Sequence, residues 1–463
     1  MTEGTFTSGG YSIESAKIFP YGTEVTGRRD AGFFNISEQI VGITFTQSIS
    51  NVSYSGVINV VDSVGLLEKA PLRGEEFLEL KLRTYDTGTN LTLRLQVYKI
   101  TDVELSNNAT VYSYNLHVVS KTTYDSSKRL ITSSFKGSSN QIAKEIFSEY
   151  YTSVGGASSL DENNKTLPYA SKKYKIQSDS PRELTIQPGE GIQKIIVPRY
   201  RPAKALSFLA ERSYTSETSS FTFRFFETFA GYFFVTDEYL LKRGETRNDI
   251  EEKNIKLFYS PIGSNDPRYP EDMIGRVEQI SNPVRIDTAG DLILGGYKNS
   301  VYEIDLVRRA ATLKKYDYLK DGSKYIDASG QERKTQNMPH TSDFIEETFT
   351  DENSKRFMVF RDYQQPGDIP GPLRTEQHFA EMLMHRNAYN HHLNALSVLA
   401  SMKGRLDITP GRIVDLDVRN VDVNQSAKNE QMSGRYLVHT VNHNFKGDEL
   451  NTTMKLSKFD WSK

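Results

Sequence analysis

The chain has 463 residues, too many for one ordinary core and enough for about two to four domains. Hydrophobic residues make up 37% and charged residues 25%, and no apolar run approaches the roughly 18 residues that a membrane-spanning helix needs. Lys and Arg number 57 against 59 Asp and Glu; a net charge of -2 gives no chain-wide attraction to nucleic acid, and the absence of cysteine removes disulfides, thiol nucleophiles and thiolate metal sites together.

The polar start, residues 1–10, lacks the basic-then-apolar order of a signal peptide, so a cytosolic protein or one held in a particle assembled there is expected. The 26 Tyr and 24 Phe, with many Thr and Val, point to β structure. A first block, about 11–120, alternates apolar and polar residues in four runs: Ile43, Phe45 and Ile49; Leu78, Leu80 and Leu82; Leu91, Leu93, Leu95 and Val97; Tyr112, Tyr114, Leu116 and Val118. Period-two alternation predicts strands with one buried and one wet face, here an antiparallel meander closing into a small barrel or sandwich, with turns at 86–90 and 106–109.

A second block, about 121–243, begins with a predicted helix over 138–150, with Ile142, Ile146 and Tyr150 four apart and Ser138 or Ser139 placed to cap it. The polar stretch 153–182 reads as a surface loop. Pro202 opens a short helix through Ala205, Leu206, Leu209 and Ala210. The run FTFRFFETFAGYFFVT (221–236) reads as an aromatic hairpin whose phenylalanines pack a core. A third block starts near Ile262, with strands predicted over 276–280, 284–287, 292–296 and 301–306. A long polar region, 311–372, reads as an insertion with much irregular structure. A helix follows from Thr375 to about Ala388, and then strands over 393–401, 412–418, 436–444 and 450–458.

The end of the chain echoes its beginning. Arg73-Gly74-Glu75 leads into strand 77–83, a polar break, strand 91–103, a turn and strand 110–120. Pro410-Gly411-Arg412 leads into strand 413–418, a polar break, strand 435–445, the turn 446–448 and strand 450–458. Both are three-strand meanders with the longest break between the first and second strands. A chain that carries two similar barrels lets a trimer present six similar units around an axis.

Clusters that suggest chemistry have plainer readings. His439 and His443 lie on an alternating strand, about 13 Å apart at roughly 3.3 Å per residue, too far for one metal. His391 and His392 are expected to point to opposite faces of a strand, and His378 and His385 lie seven apart on a helix. Asp415, Asp417, Asn420, Asp422 and Asn424 lack the glycine and terminal glutamate of an EF-hand and read as a polar-faced strand entering a loop. Glu346 and Glu347 with Asp351 and Glu352 have no apolar surround that raises one pKa, so a solvated acidic face is expected in place of a glycosidase pair. Lys314, Lys315, Lys320 and Lys324 are offset by Asp317, Asp321 and Asp327. Nucleotide-binding, serine-hydrolase and zinc-protease motifs are absent, so no catalytic, cofactor-binding or metal-binding residue is assigned and no enzyme is expected.

The run VGITFTQSISNVSYSGVINVVDS (41–63), the Gly74 strand and the meander after it resemble the first tube-like domain of the baseplate hub proteins of contractile-tailed phages. HHLNALSVLASMKGRLDITPGRIVDLDV (391–418) followed by GRYLVHTVNHNF (434–445) is similar to the second tube-like domain of that family, which is related to the hub module of type VI secretion spikes. The resemblance implies a mainly β fold with α+β insertions: two tail-tube-like antiparallel β-barrels plus smaller accessory domains. Residues 1–120 would form the first barrel and 121–260 an α+β accessory domain. Residues 261–310 and 375–445 would form the second barrel, leaving 311–374 and 446–463 as an inserted domain and a C-terminal strand. It further implies a structural virion protein, assembled in the host cytoplasm: a homotrimer that adapts a hexameric tail tube to a trimeric spike, touches other baseplate proteins, and lets DNA and the tape-measure protein through a central channel. Its lining is expected to be polar without a basic stripe. The segments 153–182 and 311–372 look enlarged relative to the family. The alternatives are a tail-borne peptidoglycan hydrolase, which would clear a cell-wall zymogram, and a carbohydrate-binding tail protein, which would bind a glycan array as a monomer.

Overall fold

The computed structural model describes residues 9–19, 33–69, 72–85, 88–105, 111–152, 184–215, 221–246, 255–261, 274–281, 287–306, 308–321, 340–360, 379–420 and 428–458. The first third of the chain is β1 (Tyr11–Phe19), β2 (Phe34–Asn35), a 3-10 turn (Ser37–Gln39), β3 (Ile40–Ser48), β4 (Ser55–Asp62), α1 (Leu66–Lys69), β5 (Phe77–Thr84), β6 (Asn90–Leu105) and β7 (Tyr112–Ser120). The α+β segment contains α2 (Lys121–Ser126), β8 (Ile131–Gly137), α3 (Ser139–Phe147) running into a π turn (Ser148–Thr152), β9 (Leu184–Ile186), β10 (Gln193–Tyr200), α4 (Pro202–Ala210), β11 (Arg224–Thr228), β12 (Gly231–Val235) and α5 (Asp237–Thr246). The last part begins with β13 (Ile255–Tyr259) and β14 (Val277–Ser281). An insertion follows: α6 (Thr288–Leu294), β15 (Lys298–Asp305), β16 (Ala310–Asp317), α7 (Tyr318–Asp321), α8 (Ser342–Thr348), β17 (Lys355–Phe360) and α9 (Phe379–Ala395). The chain closes with β18 (Leu396–Lys403), β19 (Ile413–Val418), β20 (Gly434–Lys446) and β21 (Glu449–Lys458).

Among the described residues, 13 strands join in one large sheet along the path β14-β18-β21-β20-β3-β4-β7-β6-β5-β1-β2, with β19 branching from β20 and β13 from β19. The fold is mainly antiparallel β with α+β insertions. Alternation places Ile43, Phe45, Leu78, Leu80, Leu93, Leu95, Leu116 and Val118 in one core, and Val398, Ala400, Leu416, Val438, Met454 and Leu456 in a second. Burying each large side chain of this kind is worth roughly 1.5–3 kcal/mol. The first strand set closes through residues 36–39, where the Ile36 N–H donates to the Ala16 carbonyl at 2.8 Å before the chain enters β3. The second closes through a bridge between Phe258 and Arg276.

Two further cores flank the sheet. One lies under α3, α4 and the aromatic hairpin β11–β12, where Phe225 and Phe234 are buried as the sequence predicts. The other joins the insertion to α9 through Tyr297, Tyr316, Ile345, Phe349 and Tyr389.

Several elements depart from the sequence reading. The strand expected over 292–296 is helix α6: Asp287 caps it by accepting from the Gly290 N–H, and Gly295 (φ 69°) ends it left-handed. Its three consecutive apolar residues carry no alternation, so the Asp-to-Gly cap signals decide. The start of the strand expected over 393–401 is helix, because α9 continues to Ala395 with Leu393 buried in the insertion core. The predicted start of α9 at Thr375 and the loop at 153–182 lie outside the described residues. The polar region 311–372, expected to be largely irregular, contributes β16, α7, α8 and β17, which pair or pack against β15 and α9. The pairings also cut the second strand set differently from 261–310 and 375–445: β15 belongs to the separate sheet β16-β15-β17, and β21, grouped by sequence with the insertion, lies between β20 and β18.

Candidate functional site: a doubled strand set with one polar face

The two strand sets repeat one arrangement. In chain order β1, β3, β4, β5, β6 and β7 build the spatial order β1-β5-β6-β7-β4-β3, while β13, β14, β18, β19, β20 and β21 build β13-β19-β20-β21-β18-β14. The irregularities repeat as well. A bulge at Tyr98, between Val97 and Lys99 of β6, matches one at His439, between Val438 and Thr440 of β20. A bulge at Val41, between Ile40 and Gly42 of β3, matches one at Glu278, between Val277 and Gln279 of β14. The Val97 N–H donates to Glu76 and the Val438 N–H donates to Arg412, each at 2.9 Å, and the two sets are entered through left-handed glycines, Gly74 (φ 82°) and Gly411 (φ 86°). Three features depart: β1 runs antiparallel to β5, whereas β13 runs parallel to β19; β6 has a second bulge between Thr101 and Glu104; and β1 has a bulge between Ile13 and Ser15, the last two without counterparts in the second set.

The sets meet where β3 lies antiparallel on β20, from Gly42 opposite Lys446 to Ser48 opposite Thr440. β20 has 13 residues; its first part pairs with β19 and the part beyond the bulge takes β3 along the same edge. Beneath this seam Phe45 packs edge-on against Phe229 and Phe445, and His443 stacks on Phe229 with its Nδ1 3.1 Å from the Thr452 hydroxyl. The bulged His439 reaches the Ser50 hydroxyl at 3.2 Å. Burial holds both imidazoles well below the usual histidine range, at about 4, with Lys455 and Arg224 adding to the effect on His439. Glu227, fully buried on β11, ties the first strand set to the α+β segment by accepting from the hydroxyls of Ser53, Ser120 and Thr123 at 2.6–2.7 Å.

The face of the joined sheet opposite the two cores is partly exposed and rich in neutral polar side chains. Thr44 donates to the Asn444 amide carbonyl at 3.3 Å, Asn59 donates to Asn115, the Ser401 and Thr453 hydroxyls lie 3.1 Å apart, and Thr101 and His117 meet at 2.9 Å. Asn115 and Thr101 hydrogen-bond Asp102 and hold its carboxyl below the usual carboxylate range. Charged side chains of both signs also lie on this face, among them Glu79, Lys81, Arg83 and Arg94 on β5 and β6, Asp415 and Asp417 on β19, and Lys403, Lys446, Glu449 and Lys455 nearer the seam.

No family model matches the sequence and no curated protein is similar to it in sequence. Solved structures are similar in fold along nearly the whole chain. A tail protein from Neisseria meningitidis MC58 matches with a TM-score of 0.51 at 10% identity, covering 98% of this chain and 98% of that one. The 43 kDa tail protein of prophage MuSo2 from Shewanella oneidensis matches with a TM-score of 0.50 at 8% identity, covering 97% of this chain and 99% of that one. The chain has the fold of these tail proteins.

Within this tail-protein fold, the clusters singled out by sequence are placed as follows. His391 and His392 lie on helix α9, not on a strand: His391 Nε2 sits 3.4 Å from Asp291 and 3.1 Å from the Gly290 carbonyl, and His392 Nε2 sits 2.9 Å from the Gly296 carbonyl. With His340, 3.3 Å from Asp291, they fasten α6 to α9 around a carboxyl whose pKa burial raises. Sequence spacing gives no sign of this trio, because Asp291 stands 49 and 100 positions from its partners. His385 stacks on Phe221 and meets Tyr316 edge-on, and His378 lies outside the described residues. Asp415 pairs with Arg435 at 3.4 Å and Asp417 with Arg419 at 3.7 Å, while Asp422 and Asn424 are outside the described residues. Glu346, Glu347 and Glu352 are exposed. Lys314 pairs with Glu303 and Glu381, Lys315 with Asp351 and Lys320 with Asp317. Among the described residues no group of three or more His, Asp or Glu is arranged to hold a metal ion, and no helix is long and apolar enough to cross a membrane.

Proposed function

We propose that this chain is the hub of a phage-type tail baseplate. Three copies form a ring that seats a trimeric spike on one side and a hexameric tail tube on the other, with DNA and the tape-measure protein passing through its middle. One observation carries the reading: two strand sets with matched order and matched bulges lie edge to edge along β3–β20. Except for β1 and β13, equivalent strands of the two sets keep the same direction across this seam, so a rotation about an axis roughly along the strands relates the five shared strands of one set to those of the other. Three such chains give six similar units around that axis, and sixfold and threefold partners can then meet on one ring without any bond being made or broken. The neutral Thr, Asn and Ser side chains of the joined sheet suit a channel wall. Along the seam they offer a sliding polymer no row of cations to bind it, and the charges elsewhere on the sheet are of both signs. The role is structural, in the tail of the virion, with other baseplate proteins as neighbours at the periphery.

The test is reconstitution. The purified chain is mixed with hexameric tail tube protein from the same particle and imaged. Rings stacked coaxially on tube hexamers are expected; a chain that stays apart from tube protein at micromolar concentrations contradicts the hub role.

A further inference from the structure

The repeat predicts where neighbouring copies join. In the second strand set, the part of β20 beyond its bulge carries β3. In the first set, the pairing of β5 with β6 ends at Phe77 opposite Gln96, and β6 runs on past the equivalent bulge, and past a second one between Thr101 and Glu104, to Leu105. Among the described residues no strand pairs with that overhang on the side away from β7. Its apolar side chains lie open, with Tyr98 45%, Val103 53% and Leu105 58% exposed. The strand equivalent to β3 is β14, which pairs with β18 on one side and carries the Phe258–Arg276 bridge near its start.

We infer that Glu104 and Leu105 of β6 pair antiparallel with Ser281 and Ile280 of β14 from a second copy of the chain. This rests on the ring reading and deepens it. The register follows from the strands that both sets share. Glu104 and Leu105 face Ser113 and Tyr112 of β7, as Asn444 and Phe445 face Asn451 and Leu450 of β21. Ile280 and Ser281 face Ala400 and Leu399 of β18, as Ile43 and Thr44 face Ile58 and Val57 of β4. The in-chain seam sets Phe445 opposite Ile43 and Asn444 opposite Thr44, whose hydroxyl donates to the Asn444 carbonyl. The inferred seam sets Leu105 opposite Ile280, again apolar on apolar, and Glu104 opposite Ser281, again an acceptor opposite a hydroxyl. Repeating this contact three times closes a continuous sheet and leaves neither end of the path β14-β18-β21-β20-β3-β4-β7-β6 with an open edge.

The chain has no cysteine, so paired cysteines report on this seam without background. Directly opposed residues on antiparallel strands stand about 4.5–5.5 Å apart at Cα, within disulfide range. The double variant Glu104→Cys with Ser281→Cys, oxidised and run without reductant, is expected to give covalent dimer and trimer, while each single variant stays monomeric on the gel. Thr44→Cys with Asn444→Cys marks the in-chain seam and is expected to cross-link without change of mass. As a second measure, Leu105→Arg is expected to weaken self-association about tenfold or more while leaving the monomer folded, since Leu105 is exposed there. If the double variant sediments as a trimer yet yields no inter-chain disulfide, the seam is wrong and the ring stands. If the unmodified chain is monomeric at all concentrations, the ring and the seam fall together.

Discussion

His443 has no exposed surface and His439 is half-buried beside it on β20, and both are held neutral by the cost of charging them under the seam. A histidine whose pKa falls from 6.5 unfolded to about 4 folded binds fewer protons in the native state across that interval, so stability is full above about pH 6.5 and is lost as pH falls toward 4. At pH 5 each contributes a loss of about 2 kcal/mol relative to pH 7. Urea midpoints at the two pH values are expected to show this, and His443→Gln is expected to remove about half of the histidine part of the difference; an unchanged difference contradicts the assignment. Gly56 on β4 makes a second point at this scale. A Cβ there would stand 2.4 Å from the Phe45 ring, which is already wedged against Phe229 and Phe445. Gly56→Ala is therefore expected to cost about 1–3 kcal/mol by displacing that ring, measurable in the same titration. The packing of neither residue is marked in the sequence: His443 stands out there only as a poorly spaced metal-ligand candidate, and a glycine between Ser and Val carries no local sign of what packs on it.

Elements held together by helix ends and buried hydrogen bonds show a similar gap between local signal and tertiary cause. Arg386 on α9 donates to the carbonyls of Ala210 and Glu211, at the C-terminal end of α4, and to that of Phe221 at 2.7–3.0 Å, and burial lowers its pKa to about 10. Arg386 falls within the helix that the sequence predicts from Thr375 to about Ala388; the carbonyls it serves lie 165 or more positions away, beyond any periodicity argument. Arg386→Met keeps the stem and strips the donors, leaving three carbonyls without that partner. It is expected to cost about 2–4 kcal/mol in thermal or chemical unfolding, and a variant within error of the parent contradicts the assigned role. The strands of the two meanders were legible because each has one wet face and therefore alternates. Helix α6 was not, since its Leu-Ile-Leu core carries no period and only Asp287 and Gly295 mark its ends. Of the sheet β16-β15-β17, the strand expected over 301–306 is β15, while β16 and β17 were missed because the outer face is itself apolar in part, with Met358 and Phe360 exposed, so their residues do not sort cleanly into inside and outside.

At the scale of the whole molecule, the pattern repeat between the ends of the chain was visible as strand lengths and break positions, although the residues themselves differ. What the sequence withheld was the seam: β3 and β20 are about 400 positions apart, and nothing in either strand names the other as its partner. The repeat became specific only when the bulges at Tyr98 and His439, and at Val41 and Glu278, fell at matching positions, since a bulge is a backbone event that side-chain alternation does not reveal. The hub role requires three copies to make a ring of six similar units. The most direct test is the mass of the purified chain in solution joined to particle images averaged without imposed symmetry. A species three times the 52.6 kDa chain, with six similar lobes around a central opening, is the predicted result. A monomer at micromolar concentration, or a trimer whose two strand sets do not alternate around one axis, would contradict it.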